Sequence, residues 1–307
     1  MPATRPAGLP AAAIGDTQAA PGAAAPHSIG PTSPMPVSLS TIAIDDPADP
    51  RVEPFRNVRD RDLVGRDGFI AEGTVVLDQL LVSRRFRPTS LLILRNRLAG
   101  LAERLARFPD DVPIHVADQA VFDGIAGFAV HRGVLAHGAE RGARPSVADT
   151  IAAAGGRPIV IAVGLSNHDN LGAIFRNAAA FGAGAVLCDA TSCHPLYRKA
   201  LRVSVGTALT VPWCREGTGE SLVAACRAAG YRVLALSPTG ETPLAGLATA
   251  GRTALCLGSE GQGLSPELMR AVETVRIEMA PGLDSLNVAT SAAIVLHRLF
   301  AGDGAAG

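Results

Sequence analysis

No run of apolar residues in this chain approaches the roughly 20 positions that a spanning helix needs, which excludes an integral helical membrane protein. Net charge is missing too. The 28 basic and 28 acidic residues balance, so the chain is not a uniformly basic nucleic-acid binder, although that sum says nothing of local patches. The five cysteines, at 188, 193, 214, 226 and 256, contain no CxxC pair. An odd, scattered set suits reduced and mostly packed thiols in a cytoplasmic protein. Cys188 with Cys193 and His194 lacks a usual metal-ligand spacing, so no metal is expected.

Residues 1–45 hold hardly any charged or aromatic residue and are rich in Ala, Pro, Gly, Ser and Thr. Such a segment buries too little to offset its ordering entropy, which predicts a disordered tail. It lacks the continuous apolar core of a secretory signal, and Arg5 is almost its only basic residue, unlike a mitochondrial presequence. From 46 to 138 the pattern predicts a small α/β domain, with strands over 91–94, 112–116 and 131–136 and helices over 100–108 and 118–127. Arg56, Arg59, Arg61 and Arg66 alternate with acids, which reads first as a solvated, locally ion-paired surface. Arg84, Arg85 and Arg87, with Arg95, Arg97 and His131-Arg132 nearby in the pattern, form a candidate phosphate-contacting face at one end of the sheet. Plain solvation of an arginine-rich surface fits the same residues. Residues 139–156 read as a linker that contains a short helix from Ser146 to Ala154.

From 157 to 301 strands and helices alternate regularly. Strands are predicted over 158–163, 185–189, 208–213, 231–237, 253–258 and 275–279, and helices over 171–181, 197–205, 221–229 and 265–272, with a closing helix from 288 to 299. Near-continuous apolar strands separated by helices predict a parallel sheet covered on both faces. Ligands of such sheets bind outside the C-terminal strand ends, where three loops of this chain lie.

In the first loop, Asn170 is placed as the cap of a helix that carries Gly172 in its first turn and Arg176 in its second. Ser166, His168 and Asp169 are too close in sequence to form a hydrolase relay, and no nucleophile elbow is present. The second loop sets Gly258, Gly261 and Gly263 around Glu260, so that backbone N–H groups approach a ligand closely, and Ser265-Pro266 then opens a helix. Its G-x-x-G-x-G order, late in the chain, is a weak match to a dinucleotide fold. The third loop, Asp284-Ser285-Leu286-Asn287, places neutral hydrogen-bonding side chains at a helix N-terminus.

Taken together, Asn170-x-Gly172-x3-Arg176, Gly258-Ser-Glu260-Gly-x-Gly263 and Ser285-Leu-Asn287-Val288 resemble the three motifs of the SpoU (TrmH-like) branch of the SPOUT RNA methyltransferases. The region from 46 to 138 is similar to the ribosomal-protein-like substrate-binding domain that often precedes the methyltransferase domain. The resemblance implies an α/β fold whose C-terminal parallel-sheet domain contains a deep trefoil knot, a homodimer, S-adenosyl-L-methionine as methyl donor, and an RNA ribose 2′-hydroxyl as acceptor. Ribosomal RNA is favoured over transfer RNA by the extra N-terminal domain, and a silent RNA-binding protein on the same fold is the rival reading. Carried over by position, Leu257, Gly258, Gly263, Ile277, Met279 and Leu286 hold the cofactor, while Arg176, Asn170, Glu260, Ser285 and Asn287 form the catalytic set. The resemblance makes Arg176 the group that activates the hydroxyl, and Glu260 has the charge to pair with Arg176 and fix its orientation. A guanidinium normally stays protonated, so gripping the neighbouring phosphate and polarising the hydroxyl suits Arg176 equally well. Ile277-Glu278-Met279 stands where the family often has Ile-Pro-Met.

Overall fold

The computed structural model describes residues 40–56, 68–130, 132–282 and 285–304. Most of the predicted tail, Arg59, Arg61 and Arg66, His131 and Asp284 lie outside the described residues.

The first sheet contains β1 (Thr41–Ile44), β2 (Phe69–Glu72), β3 (Phe86–Leu94), β4 (Ile114–Ala117) and β5 (Val134–Glu140), ordered β1-β4-β3-β5-β2. β4 runs parallel to β1 and β3, and β5 runs antiparallel to β2 and β3. Helices α1 (Thr74–Val82), α2 (Ala102–Leu105) and α3 (Gln119–Ala126) connect these strands. Ordered structure therefore begins ahead of Asp46, where the composition ends the tail. The small apolar run Thr41–Ile44 finds a partner in β4 that only tertiary structure supplies.

Helix α4 (Val147–Ala154) follows, closed at its start by a reciprocal capping box between Ser146 and Asp149. The region read as a linker is thus partly a packed element: Ile151 and Ala154 are buried among the side chains of the second sheet. That sheet comprises β6 (Ile159–Ala162), β7 (Ala185–Cys188), β8 (Trp213–Arg215), β9 (Arg232–Leu236), β10 (Thr242–Pro243), β11 (Thr253–Leu257) and β12 (Glu273–Arg276). The order is β10-β12-β9-β11-β6-β7-β8, and every pairing is parallel. β6, β7 and β11 are buried at every residue, as strands covered on both faces must be. The helices are α5 (His168–Ala180), α6 (Arg198–Val203), α7 (Gly219–Ala228), α8 (Pro266–Ala271) and α9 (Val288–Gly304). The strand expected over 208–213 is a 3-10 turn at Thr207–Leu209, and the ladder starts only at Trp213. Pro212 has no N–H to donate, so β8 begins after it.

The two sheets share one core. Phe86 lies edge-on to Phe69 at 5.2 Å and stacks on Trp213 at 6.4 Å, and Trp213 meets Phe175 at 6.5 Å. Arg85 sits across the same seam. Its guanidinium lies 4.1 Å from the Trp213 ring, Nη1 donates to Trp213 O at 2.6 Å, and Nε donates to Glu140 at 2.7 Å.

Candidate active site

Helix α5 begins at His168, with Asn167 as its cap accepting from Asp169 N at 2.8 Å. Asn170 is therefore not the cap. It lies inside the first turn, 8 % exposed, where its side chain is turned toward another element. Gly172 has a packing cause: a Cβ there would stand 2.6 Å from Ala200 O and 2.9 Å from Val203 Cβ, so α5 and α6 approach too closely for any side chain. The Lys199–Asp169 ion pair at 2.7 Å ties the same two helices. Arg176 projects from α5 into solvent and has no hydrogen-bond or ion-pair partner among the described residues.

The second loop folds back on itself. Gly263 N donates to Ser259 O at 3.0 Å, and a Cβ on Gly258 would lie 2.6 Å from Leu264 N. Ser265 caps α8 by accepting from Leu268 N at 3.1 Å, with Pro266 following, as the sequence pattern predicts. Above this turn a cavity of about 420 Å³ opens over the C-terminal ends of β9, β11 and β12. All six residues assigned to the cofactor line it: Leu257, Gly258, Gly263, Ile277, Met279 and Leu286. Ser285, Asn287 and Glu260 line it as well. β12 ends at Arg276 rather than at 279, where its partners β9 and β10 also stop, at Leu236 and Pro243; Ile277 and Met279 then line the cavity wall beyond the strand ends.

Asn287 closes the arrangement. Its Oδ1 accepts from Ala289 N at 2.9 Å and Thr290 N at 3.3 Å, which caps α9, while its Nδ2 donates to Asn170 Oδ1 at 2.9 Å. One side chain thus starts the last helix and joins the first motif to the third. About two turns further along α5, Asn177 Nδ2 donates to Ala289 O at 2.8 Å and fastens α5 to α9 again. The expected Arg176–Glu260 pair is not formed: both side chains are exposed and neither has an ion-pair partner among the described residues. Ser285 is exposed at the mouth.

A buried carboxylate that motif reasoning missed holds the first loop in place. Asp189, at the end of β7, accepts from Gly164 N at 3.0 Å, Ser192 N at 2.9 Å and Ser192 Oγ at 2.6 Å, and Thr191 Oγ1 donates to its other oxygen at 2.5 Å. Burial by itself would raise the Asp189 pKa, but these donors outweigh it and hold the group below the usual carboxylate range. An Asp at the end of an apolar strand, followed by Thr and Ser, was the signal available in the sequence. Burial pushes the Cys193 thiol up to about 11 and the Cys256 thiol to about 12, so neither is a ready nucleophile.

The arginines do not form one face. Arg84, Arg85 and Arg87 stand at the start of β3, whereas Arg95, Arg97 and Arg132 stand near its far end, because β5 pairs antiparallel with Ile93 opposite Val134. Nine residues of strand put roughly 25–30 Å between the groups. Arg85 is further engaged at the seam, and Arg95 pairs with Asp118 at 2.7 Å. Arg84, Arg87 and Arg132 are exposed.

An all-parallel sheet with a ligand-sized cavity over its C-terminal strand ends, walled by backbone, neutral side chains and one carboxylate, defines an α/β protein built to hold a small organic molecule. Residues 157–297 match the SpoU rRNA Methylase family. A tRNA/rRNA methyltransferase of Mycobacterium bovis, itself uncharacterised, is 39 % identical over 272 residues, spanning 85 % of this chain and 92 % of the relative. The 23S rRNA (guanosine-2′-O-)-methyltransferase RlmB of a Burkholderia species is 30 % identical over 182 residues, 59 % of this chain and 74 % of RlmB. The crystal structure of an AdoMet-bound rRNA methyltransferase from Sinorhizobium meliloti shares the fold at a TM-score of 0.70 and 23 % identity, covering 84 % of this chain and 97 % of that one. The chain belongs to the SpoU rRNA methylase family, a branch of the SPOUT methyltransferases.

Proposed function

We propose that this chain transfers a methyl group from S-adenosyl-L-methionine to a ribose 2′-hydroxyl of structured RNA, with ribosomal RNA as the substrate. The observation that carries the reading is the Asn287–Asn170 hydrogen bond, which draws the first and third motifs together beside the cavity. The cavity suits the cofactor. About 420 Å³ lies within the range of small-molecule sites, and its described lining holds one carboxylate, Glu260, and no basic side chain to repel a sulfonium. When bound, the cofactor supplies an electrophilic methyl group for in-line displacement. Backbone at Leu257, Gly258, Ile277 and Met279 and the side chain of Leu286 would hold it.

The remaining work belongs to the protein. Methyl transfer to a hydroxyl needs the nucleophile oriented and its developing charge stabilised. Arg176 is the free cation of α5, and the helix beneath it is fixed by the Gly172 contact with α6 and the asparagine bonds to α9. Arg176 grips a phosphate beside the target ribose and polarises the 2′-hydroxyl, with the proton passing to solvent. Glu260, at the mouth of the cavity, is the orienting partner assigned to Arg176 in this reading, by a pair that is not formed in this structure. Ser285 and Asn170 present neutral groups that repel neither phosphate nor sulfonium.

The family's trefoil knot and homodimer belong to the same reading. Supporting a threaded C-terminal segment, α9 is bonded to α5 through Asn177 and, further along, Arg298 donates to Ala245 O at 3.2 Å. Phe300, 53 % exposed beside Phe181 and His297, supplies an apolar surface for a second copy. The described cysteines are all unpaired, which suits the cytoplasm. Among the described residues no helix is long and apolar enough to cross a membrane, and no group of side chains is arranged to hold a metal.

Incubating the protein with labelled S-adenosylmethionine and total RNA tests the reading. Label is expected in ribosomal RNA as a 2′-O-methyl nucleoside. RNA binding without transfer would make the protein a silent binder, and label in transfer RNA alone would move the substrate.

A further inference from the structure

At the opposite edge of the parallel sheet a second cavity, of about 690 Å³, opens between the 82–85 turn and the starts of β6, β7 and β8. Its walls are pinned across the seam. Ser83 Oγ donates to Leu209 O at 2.6 Å in a buried bond, and Arg85 is held by Glu140 and Trp213 O. The first cavity lies over the C-terminal strand ends, so the full length of the strands separates the two, roughly 13–17 Å for strands of this size.

The chemistry of this cleft is unlike that of its neighbours. Arg84 is exposed and has no partner among the described residues. Arg157 is exposed and its side chain donates only to the carbonyl of Ala154, at 3.1 Å. Against these stands one lining carboxylate, Asp149, already committed to Ser146. Val82 is 57 % exposed and the half-buried Val211 lines the same cleft, which makes an apolar wall beside two guanidinium groups that have no ion-pair partner among the described residues. A ligand that answers both features carries a negative charge and a flat apolar body on one small unit. A nucleotide does so, and the cavity has the volume to take one.

We propose that this cleft binds an unpaired nucleotide of the substrate RNA at a distance from the methylated one, its phosphate gripped by Arg84 and Arg157 and its base laid against Val82 and Val211. The proposal rests on RNA being the substrate. It makes the seam between the two sheets a second reading point, so that an RNA must satisfy both edges of the parallel sheet at once. Arg85 serves here as a wall, because Glu140 and Trp213 O hold its guanidinium flat against the seam.

The test uses the full chain and transcripts tiling 23S ribosomal RNA with 4-thiouridine incorporated. The Arg84→Ala/Arg157→Ala variant is expected to bind the preferred transcript at least tenfold more weakly, with its salt slope lower by about 1. Val82→Asn is expected to weaken binding about threefold with the slope unchanged. Both variants should bind S-adenosylmethionine within twofold of the parent, which shows that the fold is intact. Irradiation should cross-link RNA to peptides containing Val82 or Val211. Wild-type affinity and salt slope in the double-arginine variant would overturn the proposal while leaving methyl transfer standing. Arginine-dependent binding without methyl transfer would sustain the cleft and overturn the enzymatic reading. No transcript binding by the parent protein would overturn both.

Discussion

The two edges of the parallel sheet are built from opposite chemistry. Over the C-terminal strand ends, the cavity is lined by backbone, aliphatic and neutral polar groups, with Glu260 the one charge in its described lining. At the N-terminal edge, the cleft is lined by Arg84, Arg85 and Arg157 with a single carboxylate. One lining suits a cationic centre and the other an anion, and they stand a strand length apart. Trp213 links the two regions, since it opens β8, stacks under Arg85 and receives the edge of His194 at 5.4 Å from the loop after β7.

That contrast breaks most sharply at Arg176, the free cation on the neutral side. Arg176→Ala is expected to lower methyl transfer by roughly 100-fold or more, with cofactor affinity within twofold, by titration calorimetry and single-turnover assays. Equal losses in both would assign the arginine to the cofactor cavity instead. Next in size is Gly258→Ala. The added methyl would crowd Leu264 N at 2.6 Å, so the turn must open; cofactor affinity should fall about tenfold and stability by about 1–3 kcal/mol.

His194 sharpens the link between the edges. Burial, and then the arginines at 215, 144 and 85, push its pKa down to about 4. An unfolded histidine titrates near 6.5, so the unfolded chain binds the proton first as pH falls. The neutral, packed ring thus contributes fully above pH 6.5, and that contribution is lost progressively toward pH 4, on the order of 2–3 kcal/mol in all. Denaturant midpoints of the parent should decline over that window, and those of His194→Gln should decline less; parallel curves would dissociate the ring from the acid response. The smallest effect belongs to Asn287→Ala. Losing the cap and the bond to Asn170 should cost about 1–2 kcal/mol, or a few degrees in Tm. Methyl transfer is expected to fall further than stability does, because α9 and α5 lose their common anchor.

Much of the site was legible as types of residue at a spacing. The second loop appears as read, with Ser265 and Pro266 opening a helix, and the residues assigned to the cofactor share one cavity. What the pattern missed depended on partners far away in the chain. Asn170 looked like a cap because a polar residue ahead of an apolar run usually is one. Asn167 takes that role, and Asn170 is freed for Asn287, 117 residues later. The arginines share a pattern in the sequence but not a place in the fold, because β5 returns antiparallel and carries Arg132 to the far end of β3. The strand at 208–213 failed on Pro212, a local rule that apolar content masked.

Alternating apolar strands and helices determined a parallel sheet by themselves, since strands buried on both faces leave no other pattern. The motif residue types likewise placed three loops, one of them glycine-rich around Glu260, at the C-terminal strand ends. Tertiary structure alone decided which asparagine caps and which one bridges, that Gly172 exists for the contact with α6, and that two apparent domains share a core through Phe86, Trp213 and Phe175. Those outcomes depend on close approach between segments distant in the chain, which periodicity cannot encode because it reports only a residue's own face.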